Sequence, residues 1–436
     1  MRKIIVGFSC VTIFTLLIAS TLWAEGQREG ATTSSQQQSI VAFMPVHHFT
    51  SALQQLLPQF ENSTGIKVQL STLPEEEYYK KTTIELASGK PSFDVFLLNQ
   101  GYVPEYAVAG WVQPLEQYIN DPKLTNRAKY DFADFPSAAL SRPTYAGKLY
   151  GIPATVEPQI MFYRKDILQS EGIPVPKTIE DLYNAAVKIK RDVPGMSGIA
   201  LRLKRGTGSY WPWLGLVSDY RGQWVGRDGK DYLTSTNTEA ATAMYINLIK
   251  DGGPTAPLNY GWYECLTSFQ QGKTAFLLDA NSWMASFQDP SKSKVVGKVG
   301  AAVMPAGPDG YIQAAGGSSW MIGMASASKN KDGAWKFMEW ASSKPIALKI
   351  AIIGGDVARS SIWTDPQFKA KYPYPDWIQA SSMTTDKYNS TYFLPTSTKL
   401  SAMSQIIDIA LEDIYDGKSL SSEMANAQQE TDALLK

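Results

Sequence analysis

Two adjacent histidines, His47 and His48, are the only imidazoles in the chain. A Ser-His-acid site would have to use one of them, since its members need not be close in sequence. Structural and catalytic zinc sites need three or four nitrogen, sulfur or carboxylate ligands at suitable spacing. Two neighbouring histidines with Cys10 and Cys265 do not make such a pattern. The stretch "FQQGKT" ends like a phosphate loop, but Thr267 stands where the first glycine belongs, so the nest of backbone amides is missing. "RGTGSYW" carries two glycines of a dinucleotide turn and no third, and "GGSSW" has Trp320 in place of the last glycine of a nucleophile elbow. With 41 Asp and Glu, a pair of carboxylates for glycoside hydrolysis could be picked anywhere and is not diagnostic. No cofactor and no metal is expected.

The elements around these residues alternate. "IVAFMP" is a short buried strand, and "TSALQQLLPQFENSTG" has Leu53, Leu56, Leu57 and Phe60 at helical spacing. Thr50 or Ser51 can cap that helix, Gly65 can close it, and Pro58 should kink it, at about 3 kcal/mol if an interior bond is lost. "IKVQLSTL" and "FDVFLLN" are strands with a helix between them, the second nearly all apolar, as in a parallel sheet covered on both faces. "TIEDLYNAAVKIKRDV" is a helix with Thr178 as cap, Asp181 at its third position and Leu182, Ala185, Ala186 and Ile189 on its inner stripe. Further helices follow, one carrying Trp335 and Trp340 as packing residues. This grammar predicts an α/β protein, and 436 residues are too many for one ordinary core, so two lobes are expected.

One stretch breaks the pattern. "GKLYGIPATVEPQIMFYRKDIL" sets Gly151 and Pro153 among strand-forming residues, which a central strand should not contain. It is either a strand broken for a purpose or a crossing between two bodies.

Lys and Arg balance Asp and Glu at 41 each, so no basic excess points to nucleic acid or acidic membranes. Arg2 and Lys3 precede an apolar run ending at Ala24, the layout of a secretory signal peptide over residues 1–24. Cys10 lies inside that run, not at its end, which argues against a lipoprotein. Cleavage leaves Cys265 as the sole cysteine and a polar leader over residues 25–39. Outside the signal, no run reaches the ~18 apolar residues of a membrane span.

Several segments, in order from about Ile40 to Leu435, resemble the family-1 extracellular solute-binding proteins of ABC importers. They include "FDVFLLNQGYVPEYAVAGWVQPLEQYI", "LYGIPATVEPQIMFYRKDIL", "FQQGKTAFLLDANSW", "GKVGAAVMPAGPDG" and "AAGGSSWMIGMASASKNKDGAWKFMEWASSK". "DANSWMASFQDPSKSKVVGKVGAAVMP" and "GGDVARSSIWTDPQF" are most similar to the branch that binds sugar alcohols and simple sugars. The resemblance implies two α/β lobes of mostly parallel sheet, a ligand cleft between them and a hinge crossed more than once. The lobes would comprise 40–152 with about 306–349, and about 153–305 with 350–436. "GIPATVEP" would be the first crossing, with others near Ala301–Pro305 and between Lys349 and Arg359.

It also implies an exported, monomeric binding protein that delivers a neutral carbohydrate to permease subunits without altering it. Such a ligand is held by hydrogen bonds to its hydroxyls and by aromatic faces against its C–H groups. The residues expected to serve are Trp211 and Trp213, one facing the cleft and one packing inward, Trp262, and Asp279, Asn281 and Trp283 after a strand. His47, His48, Asn99 and Gln100 follow strands, the position where ligands sit in open α/β sheets. Glu157 sits at the crossing, Gly317, Ser318 and Trp320 bring amides and an indole, and Arg359 contacts ligand or locks the crossing. The alternatives are a secreted carbohydrate-active enzyme, or the same fold holding a non-sugar solute.

Overall fold

The computed structural model describes residues 38–226, 228–313, 318–355, 357–387 and 394–436. The expected signal peptide, the leader as far as residue 37, and Gly317 lie outside the described residues. Ser318 is described by its backbone alone.

Among the described residues nine strands form two large sheets, and Thr144–Tyr145 with Lys148–Leu149 makes a small third one. β1 (Ser39–Pro45), β2 (Lys67–Leu73), β3 (Val95–Asn99), β4 (Ile152–Glu157) and β9 (Ser318–Met324) make the first, in the order β2-β1-β3-β9-β4. β5 (Gln159–Arg164), β6 (Ser197–Ala200), β7 (Thr274–Ala280) and β8 (Val299–Ala302) make the second, in the order β8-β5-β7-β6. Strands linked by a helix within one sheet pair in parallel, as β1 does with β2 and β3, and β6 with β7. Strands that arrive from the other sheet run against their neighbours, so β9 is antiparallel to β3 and β4, and β5 to β7 and β8. The pairing is thus mixed where the chain crosses.

Each sheet has its own core. Phe43, Leu53, Leu98, Met321 and Trp335 belong to the cluster around the first. The second is packed on both faces, because alternate residues of a strand point opposite ways. Met161, Phe276 and Leu278 face one cluster, and Ile160, Phe162 and Leu277 face the other.

The first crossing is later than the sequence indicates. β4 runs through Pro153 and is an edge strand, where a missing N–H is tolerated. Pro153 and Thr155 to Glu157, assigned above to the second lobe, therefore pair in the first sheet, and the change of sheet falls at Pro158. Gly151 serves close packing, not a turn: a Cβ there would lie 2.6 Å from Met321 Cγ. The helix Lys344–Gly354 spans the third expected crossing and packs Ile346 and Ile350 into the first core, Ala347 and Ala351 into one face of the second.

The helix His48–Thr64 is continuous through Pro58, which is exposed, so the Gln54 carbonyl it leaves free faces solvent. Its cap is His47, not Thr50 or Ser51. Gly65 closes it in the left-handed region at φ 72°. Among the described residues no helix is long and apolar enough to cross a membrane.

Candidate functional site

The carboxylate of Glu157 ends β4 at the crossing and meets the residues that follow β1. His47 Nε2 lies 3.3 Å and His48 Nε2 3.4 Å from Glu157 Oε1. Their order follows from the helix start. His47 Nδ1 accepts the Phe49 N–H at 3.2 Å, so the proton of the neutral ring sits on Nε2, the nitrogen that faces Glu157. Ser282, just after β7 of the second sheet, also donates to Glu157 Oε1 at 3.4 Å. Burial pushes the Glu157 carboxyl up, yet His47 and His48, by polar contact and by charge together, outweigh it and hold it at about 2.

This trio is the group of His and carboxylate atoms among the described residues close enough to share an ion, within 4.8 Å of one another. Metal-bound imidazole keeps its proton on the other nitrogen, whereas His47 Nδ1 is occupied as an acceptor. The arrangement fits a hydrogen-bonded carboxylate, not a metal centre.

Aromatic rings continue from the trio on both sides. His47 packs on Trp320, Trp320 stacks on Tyr79 with planes 12° apart, and Tyr79 stacks on Tyr102. In the other direction His48 meets the edge of Trp283, which stacks on Trp262 with planes 10° apart. Asn99 and Thr155 are the register partners of Trp320, and Ser318 that of Glu157, so β3, β4 and β9 bring these positions to one face.

The second sheet contributes a charged wall. Arg202 binds both oxygens of Asp279 (Nη2–Oδ1 2.6 Å, Nε–Oδ2 3.1 Å), and Trp283 Nε1 donates to Asp279 Oδ1 at 3.0 Å. The guanidinium lies 4.9 Å above the Trp211 ring. Trp211 is 5% exposed and its Nε1 donor has no hydrogen-bond partner. Glu75, at the start of the helix Glu75–Ala87, is pushed up by burial, while His47 and Arg202 pull it back and Tyr79 bonds it.

The expected residues thus divide. His47, His48, Glu157, Trp211, Trp262, Asp279, Trp283 and Trp320 are brought together. Trp213 is not: it is fully buried, with its Nε1 bonded to Thr242 Oγ1, because two residues along a helix point to nearly opposite sides. Asn281 follows β7 and has a buried Oδ1 with no hydrogen-bond partner, while its carbonyl accepts from Trp377. Asn99 caps Gly101 N, and Gln100 accepts from Arg142 with its Oε1. Arg359 stands apart, wholly buried. It donates to the carbonyls of Ser342, Asp131 and Tyr130 and lies 4.0 Å over the Phe135 ring, so its donors are spent on holding the fold.

Arg202, Tyr79 and Glu75 were missed. Arg202 closely follows β6, the same strand-end signal that singled out Asp279, and Glu75 and Tyr79 lie in the first turns of the helix after β2.

Residues 47–347 match the family model described as bacterial extracellular solute-binding protein. The chain is 27% identical over 397 residues to an erythritol/L-threitol-binding protein of Mycolicibacterium smegmatis, covering 87% of this chain and 82% of that one. It is 26% identical to a mannitol-binding protein of Pseudomonas aeruginosa, over 69% of this chain and 67% of the other. A solute-binding protein of an Agrobacterium radiobacter ABC transporter, solved with ribitol, superposes with a TM-score of 0.84 at 23% identity, over 91% of this chain and 98% of that one. A maltose-bound T. maritima protein superposes at 0.81 and 21% identity, over 91% and 99%.

Proposed function

The chain belongs to the family of bacterial extracellular solute-binding proteins, and from that footing we propose that it captures a neutral, hydroxyl-rich solute, a sugar alcohol or a simple sugar, between two lobes. The lobes are about residues 40–157 with 306–349, and about 159–305 with 350–436. The protein acts outside the cytoplasm as a monomer, delivers the solute to the membrane subunits of an ABC importer and leaves it chemically unaltered.

The observation that carries the reading is the grouping at the crossing. A carboxylate held ionised by two histidines, an Arg202–Asp279 pair over Trp211, and the flat faces of Trp320, Tyr79, Trp262 and Trp283 meet where the chain passes between sheets. Carboxylates accept from hydroxyls, the Trp211 N–H donates to them, and the rings take the C–H faces. Named relatives that bind erythritol, threitol and mannitol support the polyol choice. Contacts from both lobes exist together only in the closed form, so ligand shifts the population towards closure.

A melting-temperature panel of ribitol, mannitol, erythritol, monosaccharides and maltose tests this. A true ligand at a hundred times its dissociation constant adds about 2.7 kcal/mol of stability. A shift from another solute class and none from any carbohydrate would overturn the reading.

A further inference from the structure

The loop that leads into Trp211 has few bonds of its own: Thr207 N, Thr207 Oγ1 and Ser209 Oγ all donate to the Lys204 carbonyl. Residues 201–209 join β6 to the helix Tyr210–Asp219, and the residue at that helix's cap position, Ser209, makes no side-chain cap bond. Gly206 and Gly208 both adopt left-handed backbone, at φ 75° and 77°. The amides of Gly206, Gly208 and Tyr210 are held from elsewhere in the chain. Asp408, on the helix Leu400–Tyr415, is 2% exposed and points its carboxylate at the loop. Oδ2 accepts from Gly206 N at 3.1 Å and Gly208 N at 3.3 Å, and Oδ1 from Tyr210 N at 2.9 Å. One turn along the same helix, Glu412 accepts from Arg205 Nε at 2.7 Å.

A buried carboxylate on three backbone amides at a helix start does the work of an N-cap and meets the positive end of the helix dipole. The held segment carries Trp211, on whose ring the Arg202 guanidinium rests. It also reaches the other sheet's side of the molecule, where a Cβ on Gly206 would lie 3.9 Å from Glu76 Oε1.

We propose that Asp408 is a positioning residue for the solute site: it never touches the solute, but as a surrogate cap it fixes the 204–210 loop and, through it, Trp211 and Arg202 in their binding geometry. The inference rests on the solute-binding reading above. It also carries a pH dependence. Burial pushes the Asp408 carboxyl up to about 6, against the three amides and Arg202 that pull it down. Tyr210 and Tyr245 are the other ionisable groups that feel its charge, and the Arg205–Glu412 pair lies one turn along its helix. The three amides hold the carboxyl below where burial alone would put it, so while Asp408 stays buried the ionised form is the one that holds the loop, and protonation below about 6 loosens it. Against the fully unfolded chain the net upward shift has the opposite sign.

The test is Asp408→Asn in the full chain, read by amide exchange and by ribitol calorimetry. At pH 7.5 the protection of the Gly206, Gly208 and Tyr210 amides should fall about five- to tenfold, because Asn offers one acceptor oxygen and turns an NH2 donor on the amide its lost oxygen held. The ribitol dissociation constant should rise by a similar factor. Wild type should lose the same protection between pH 7.5 and 5, a drop the variant lacks. This wild-type series decides the matter if the variant does not fold. Unchanged protection overturns the proposal, as does lost protection with unchanged affinity. If wild type binds neither ribitol nor any other panel sugar, the solute reading fails instead, and amide protection alone decides whether Asp408 anchors the loop.

Discussion

Glu157 is buried with histidines and a serine as its partners, and its carboxyl stands well below the ordinary value of 4.5. The stability that this ionisation contributes is present above about pH 4.5 and is lost as pH falls towards 2, up to about 3 kcal/mol for the shift cited. Urea unfolding of Glu157→Gln should therefore show a shallower acid limb than wild type, together with weakened polyol binding. Arg359 is the opposite kind of charge. Its partners are mostly backbone carbonyls from two segments, Tyr130–Asp134 and Ser342. Arg359→Met would strand those acceptors and should cost about 3–5 kcal/mol, with ligand affinity per folded molecule unchanged. A large affinity loss at full stability would return Arg359 to the site.

At the scale of elements, the helix Tyr210–Asp219 sorts two tryptophans with different work. Trp213 fills the core, so Trp213→Ala should cost about 3–5 kcal/mol in unfolding experiments. Trp211 lies beside Arg202 with an unmet indole N–H. Trp211→Ala should chiefly raise the ligand dissociation constant, seen by calorimetry. The bulged pairing of β9 with β4 depends on Gly151, where a methyl group would press into Met321. Gly151→Ala should lower stability by about 1–3 kcal/mol, measured by denaturant midpoint.

Across the whole molecule, buried aspartates set the pH of greatest stability. Burial pushes Asp408 to about 6 and Asp231 to about 7, and Asp219 well up. For a raised pKa the stabilising contribution is complete below the unfolded value and is lost as pH rises through the folded one. The melting temperature should therefore decline from pH 5.5 to pH 8, and Asp231→Asn should flatten the upper part of that decline. Lobe closure belongs to the same scale: small-angle scattering should give a smaller radius of gyration with a bound polyol than without.

Much of the fold was legible in the residues themselves. The capping box of Thr178 and Asp181 forms as its spacing indicates, and Gly65 closes its helix, because caps and stripes are decided within a few residues. The placing of His47, His48 and Glu157 near strand ends followed from the alternation of elements. Tertiary structure alone decided the rest. That β4 stays in the first sheet through Pro153, that His47 spends Nδ1 on a cap and Nε2 on Glu157, and that Arg202 pairs with Asp279 are contacts between segments far apart in the chain. Local periodicity records which face of an element is apolar, not which distant partner will cover it, so the sequence by itself determined the elements and their order while packing chose the members of the site.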